Sequence, residues 1–318
     1  MADDDRIKAM EFRHPEYIPI SVNFLPATWI RYREDLEDLV IQHPIIFGDY
    51  KKCSKNFDEV GGLYAEGEHV DAWGCVWRNV QKGCDAMCTG HPVPKREMVH
   101  ELKPPPAGSG MMHGFMYMRL YYLRGFDELM IDFAEEPPEL QMLIDIVLEY
   151  NCGEIELILR NKPRIAHFGD DLGMQIALPI SPRQWRKYLK PCFAKMFGMC
   201  HDAGSSVYLH TDGHIVEIIT DLIDCGTNVV NPQIRANGLD NIVRECKGKI
   251  CVNIDLDRQM FPFCTPADID AHILEVVRKL GSPEGGMWIT AECGPDVPLE
   301  NIEAICRALE KYRGYYRQ

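Results

Sequence analysis

Five times between Arg164 and Tyr312 the chain repeats one pattern: a short β-branched run, a polar residue, then an amphipathic helix. The runs are 164–169, 206–210, 228–230, 250–254 and 287–291. Consecutive strand–helix units require a parallel sheet, because right-handed crossovers return each strand beside the last. Three earlier segments read as further strands: 17–24, 45–48 and 115–123. Eight strands in this order predict a single α/β domain over 1–318, a (β/α)₈ TIM barrel with an N-terminal extension. A doubly wound sheet is disfavoured, since no Gly-x-Gly-x-x-Gly follows the first strand. No Walker A motif appears either.

The helices carry their own signals. Ser181-Pro-Arg-Gln184 opens one as a capping box with proline at its first position. Thr265-Pro266 and Pro298 open two more, and Gly204, Gly226 and Gly281 close helices. Residues 126–135 and 138–160 have helical apolar spacing. The stretch from about 60 to 110 is rich in Gly, Trp and Cys and ends in Lys103-Pro-Pro-Pro106. It reads as an inserted hairpin and loop of the kind that serves binding.

The net charge of −14 argues against nucleic acid as a partner, because phosphate neutralisation needs Lys and Arg. No apolar run approaches membrane-spanning length. The acidic start, Met-Ala-Asp-Asp-Asp-Arg, lacks the apolar core of a secretory signal. Thirteen cysteines then read as reduced thiols of a cytoplasmic protein rather than as a disulfide framework.

In a closed barrel the carboxyl ends of the strands build the active site. There the sequence puts Asp170/Asp171, His210/Asp212, Asn231/Gln233, Asp255/Asp257 and Glu292/Cys293. His210 and Asp212, two apart on an extended chain, point the same way. Zinc accepts nitrogen, carboxylate and thiolate, so His210, Asp212 and Cys293 are candidate metal ligands. A hydrogen-bonded structural histidine and a chance cysteine are the plainer reading. Asp171 and Asp255 are candidates to hold a substrate hydroxyl or a proton. Trp73 and Trp77 share a face of a strand, either as core or as a substrate-stacking wall. Cys84-x-x-x-Cys88 has no second pair at zinc-ribbon spacing and reads as two loop thiols. His14, His43, His91, His100 and His113 lie in loops without a pairing pattern.

These strand ends resemble the uroporphyrinogen decarboxylase superfamily, which includes zinc-dependent methyltransferases acting with corrinoid proteins. The resemblance rests on Asp170-Asp171 after a strand, Ser181-Pro182, His210-x-x-Gly213, Val230-Asn-Pro-Gln233, Asn253-Ile-Asp255, Thr265-Pro266, and Cys293 followed by Pro298-Leu-Glu-Asn301. Asp71-Ala-Trp-Gly-Cys-Val-Trp77 is similar to a segment of methyltransferase-like members, and the match spans most of 70–313. The decarboxylase branch carries an N-terminal Arg-Gln-Ala-Gly-Arg motif for its acidic substrate. Nothing like it occurs near Phe24-Leu-Pro26, and an octacarboxylate would lack its main anion grip.

The methyltransferase branch uses His-x-Cys plus a distant Cys as zinc ligands. His210 and Cys293 match, and Asp212 stands in place of the central Cys. The resemblance therefore implies transfer of a methyl group from a small ether, amine or thiol to a corrinoid. No Asp-x-His-x-x-Gly motif is present, so the corrinoid would arrive on a separate protein. Asn231 and Gln233 would face the substrate. A metal-free decarboxylase-like lyase and a non-catalytic small-molecule-binding barrel are the competing expectations. Related barrels often form homodimers, and the sequence does not fix the oligomer.

Overall fold

The computed structural model describes residues 2–317. Among the described residues nine strands are present: β1 (Ile20–Phe24), β2 (Gly67–Val70), β3 (Val76–Asn79), β4 (Met87–Gly90), β5 (Ile165–Gly169), β6 (Ser206–Thr211), β7 (Val229–Pro232), β8 (Cys251–Asp255) and β9 (Met287–Cys293). Six of them form one sheet in the order β1-β9-β8-β7-β6-β5. The β1–β9, β9–β8 and β6–β5 pairings are parallel. All five sequence-defined runs are strands of this sheet, each followed by helix, which makes the chain an α/β barrel protein. Among the described residues the strand ladder stops at six and does not close.

Two expected strands are helices. Of residues 45–48, all but the capping Gly48 fall in the short helix Pro44–Phe47, whose proline occupies the first turn. Residues 115–123 fall largely in the helix Tyr117–Arg124. The excursion is a three-stranded sheet, β2-β3-β4, rather than one hairpin. The capping box expected at Ser181 forms, and Thr265, expected only to open its helix, makes one as well, each with both reciprocal hydrogen bonds.

The chain divides into two compact units. One comprises Glu68–Arg78 and Met87–Asn231, and holds β4, β5, β6 and most of β7. Its core joins Phe168 of β5 to Phe193 and Phe197 of the helix Lys190–Asp202, with Phe115 closing the cluster. The other unit comprises the residues up to Gly67, Asn79–Ala86 and the residues from Pro232 onward. There β8 and β9 are buried along nearly their whole length beneath the helices Pro266–Leu280 and Leu299–Tyr312. Burial of successive residues, which point to opposite faces, belongs to parallel strands covered on both sides.

Candidate functional site

The loops leaving β5 and β6 lie against each other, main chain on main chain. Gly173 N–H donates to Asp212 O at 3.2 Å, and His214 N–H to Met174 O at 2.7 Å. A Cβ on Gly213, whose φ is +83°, would come within 2.2 Å of the Gly173 backbone. A Cβ on Gly173 would meet the His214 nitrogen at 2.3 Å. Only two glycines permit this approach. It brings the carboxylates of Asp171 and Asp212 to the end of β6, where His210 stands.

A third segment joins them. Gly114 N–H donates to Gly169 O at 2.8 Å, docking the 110–116 loop on the last residue of β5. A Cβ on Gly169 would sit 2.5 Å from His113 Nδ1, so the glycine makes room for that imidazole. His113 Nε2 lies 3.0 Å from Asp171 Oδ1. His210 Nε2 is 3.9 Å from the same oxygen and 3.3 Å from Asp212 Oδ1. The two imidazole centroids are 5.4 Å apart. Ligand atoms of His113, Asp171 and His210 all lie within 4.8 Å of one another. Among the described residues these three are the group of His, Cys, Asp or Glu so arranged.

The surroundings orient each member. His210 Nδ1 is 2.6 Å from Asn231 Oδ1, an oxygen that can only accept, so Nδ1 carries the proton and Nε2 faces the carboxylates. Asp212 N–H donates to Asp171 Oδ1 at 3.1 Å. Burial opposes a charge on His210, but the hydrogen bond and charge of Asp212, then Asn231 and Asp171, outweigh it and push its pKa up to about 9. His113 is raised in the same way: burial opposes, and Asp171 overcomes it. Asp171, though burial pushes it up, is held below the usual carboxylate range by His113.

Asp170 takes no part in that group. It is fully buried, and its carboxylate accepts N–H bonds from Met116 (3.2 Å), Tyr117 (2.6 Å) and Met118 (3.0 Å). These are the orphan donors at the start of the helix Tyr117–Arg124. Burial pushes its pKa up to about 7, against the pull of the Met118 and Tyr117 N–H groups.

The remaining sequence-derived candidates lie as follows. Asn231 is the orienting partner of His210. Trp73 and Trp77 are 8% and 5% exposed, packed edge-on against Tyr150 and Tyr122. In the other unit, Gln233 precedes the helix Ile234–Asn237 and its carbonyl accepts from Asn237. Asp255 is buried 3.5 Å from Arg258, which also binds Glu292 at 2.5 Å. Cys293 ends β9 with no exposed surface; burial, then the charges of Glu292, Asp296 and Asp255, raises its thiol pKa well above the ordinary value. His113, set aside as a loop histidine, is the member that sequence reasoning missed. No local spacing marks it, because its place is fixed by Gly169 and Asp171, more than fifty residues away.

A solved methyltransferase from Methanosarcina mazei superposes with a TM-score of 0.67 at 17% identity, covering 98% of this chain and 99% of that one. A dihydropteroate synthase from Xanthomonas albilineans superposes with a TM-score of 0.32 at 13% identity, over 45% of this chain and 52% of that one. No curated protein matches the sequence. The family model for uroporphyrinogen decarboxylase (URO-D) matches residues 115–312, a span holding Asp171, His210, Asp212 and Asn231. The chain belongs to the uroporphyrinogen decarboxylase family.

Proposed function

We propose that the protein is a zinc-dependent methyltransferase that moves a methyl group from a small ether, amine or thiol to a corrinoid carried by a separate protein. The observation that carries the proposal is the convergence of His113, Asp171 and His210 within 4.8 Å. Two imidazoles and one carboxylate are a donor set that zinc accepts, and three protein ligands leave a fourth position for substrate. When bound, zinc would supply a Lewis acid at the heteroatom that bears the methyl group.

The protein's own groups prepare that position. Asn231 holds the His210 ring so that Nε2 is the nitrogen on offer. The Asp212 N–H fixes the Asp171 oxygen that both imidazoles approach. The Asp212 carboxylate, beside His210 Nε2, adds negative charge that favours a cation. Cys293, wholly buried at the end of β9, is not among the groups whose ligand atoms meet. The near full-length likeness to a methyltransferase fold supports the reaction class, and the missing corrinoid motif supports a separate carrier.

Metal analysis of protein purified without chelators tests the reading. The wild type is expected to hold one zinc per chain, and His113→Ala and His210→Ala to lose it together with methyl transfer to a reduced corrinoid. Cys293→Ala should keep it. Zinc-free active protein, or zinc retained by both histidine variants, would overturn the proposal. One observation favours a second reading, a metal-free lyase: the 3.0 Å His113–Asp171 pair stores a proton that could quench the carbanion left by loss of carbon dioxide. Carbon dioxide release from a carboxylated substrate, undiminished by chelator, would select it.

A further inference from the structure

Outside that site, two thiols and an imidazole converge on a single carbonyl. Cys75 Sγ lies 3.4 Å from Tyr122 O, Cys88 Sγ 3.7 Å and His91 Nδ1 2.8 Å from the same oxygen. Cys88 Sγ is also 3.8 Å from His91 Nδ1. The strand register accounts for the meeting. Trp77 of β3 pairs with Cys88 of β4 and Val76 with Gly90, with a bulge between them, and Cys75 immediately precedes β3.

Cys75 is rigidly placed. Its N–H donates to Asp71 Oδ1 at 2.9 Å and its carbonyl accepts the Asp71 N–H at 3.0 Å. Asp71 Oδ2 in turn accepts from Arg119 Nη1 at 2.8 Å and from the Trp77 indole at 3.1 Å. Arg119 Nη1 is 3.8 Å from Cys75 Sγ, so a fixed cation borders the pair.

The two sulfurs are not equivalent. Cys75 is buried, and Cys88 is half-buried. Both sulfurs sit on the Tyr122 carbonyl, and their interaction there lowers the pKa of Cys88 and raises that of Cys75. A half-buried thiol of lowered pKa backed by a buried thiol of raised pKa is the arrangement of an attacking and a resolving thiol. A cation site is not the explanation, since the metal-competent group among the described residues lies elsewhere.

We infer that Cys88 and Cys75 form a reversible disulfide site that takes small-molecule disulfides as its co-reactant. The Cys88 thiolate attacks one sulfur of the small disulfide; that S–S bond breaks and the first thiolate leaves and is protonated. Cys75 then gives up its proton and attacks the Cys88 sulfur of the mixed disulfide, expelling the second thiolate, which takes up that proton. Two protein thiols are oxidised, and one disulfide is reduced to two thiols.

The test treats the full chain with glutathione disulfide and maps cysteines by mass spectrometry. The wild type is expected to yield a Cys75–Cys88 cross-link, reversed by excess reduced glutathione, with no glutathione left on Cys88. Exposed Cys53 serves as the comparator and should keep the mixed adduct. Cys75→Ser should trap glutathione on Cys88 at least about tenfold more than wild type, since its resolving thiol is gone. Because Cys75 is buried and its replacement could impair folding, the wild-type map decides independently. A stable mixed adduct on wild-type Cys88, or no modification of Cys88 while Cys53 reacts, would overturn the inference.

Discussion

At the residue scale, the site is governed by which nitrogen of His210 is free. Asn231 keeps a proton on Nδ1, so an incoming cation must displace the one on Nε2. With the pKa of His210 pushed up to about 9, zinc affinity should rise as pH increases and level off above about 9. The slope should be roughly tenfold per pH unit for that proton, and steeper toward acid pH, where His113, also raised, must lose a proton too. Competition titrations with a chelator between pH 6 and 9, on buffer scales set by roughly unit steps, would measure it; a flat profile would contradict the assignment. In the ion-free protein the sign is opposite. A histidine whose pKa is raised on folding contributes stability that is complete below its ordinary value of 6.5 and lost as pH rises through about 9. Ion-free protein should therefore weaken over the interval in which zinc binding strengthens.

At the element scale, the helix Tyr117–Arg124 is started by a carboxylate from another part of the chain. Asp170→Ala would leave two buried N–H groups and one partly buried one without their acceptor and should cost about 1–3 kcal/mol in denaturant unfolding. Asp170→Asn, which retains one oxygen, should recover much of that. Equal stabilities of Asp170→Ala and wild type would show that the cap is dispensable. The same non-local cap explains why 115–123 reads as a strand. Its aromatic residues favour extended chain, and the helix-starting group lies more than fifty residues downstream. The 45–48 run was ambiguous for another reason, being too short for period to separate strand from helix. The five strand–helix units were legible because every signal was local: β-branched runs, the Ser181 capping box, the Thr265-Pro266 helix start, closing glycines. His210 and Asp171 were legible as polar strand ends. His113 was not, since nothing within its own loop specifies a ligand.

At the scale of the whole molecule, a bound cation would be linked to global stability. If zinc binds only the folded chain, saturating it at about 1,000-fold over its dissociation constant should add about 4 kcal/mol. Thermal melts should show a zinc-dependent rise that His210→Ala abolishes, and a melt unchanged by zinc or chelator would refute the linkage. No helix among the described residues is long and apolar enough to cross a membrane. The excess of negative charge bears on encounter rather than architecture: a carrier with a basic face would be drawn in, more strongly at low ionic strength. Because Gly173 and Gly213 touch through their backbones, the spacing of the two acidic loops is written in main chain, not in side chains. Residues 171 and 212 can then be exchanged for other donors without moving the scaffold, whereas one added methyl at either glycine would wedge the loops apart and disable any chemistry placed there.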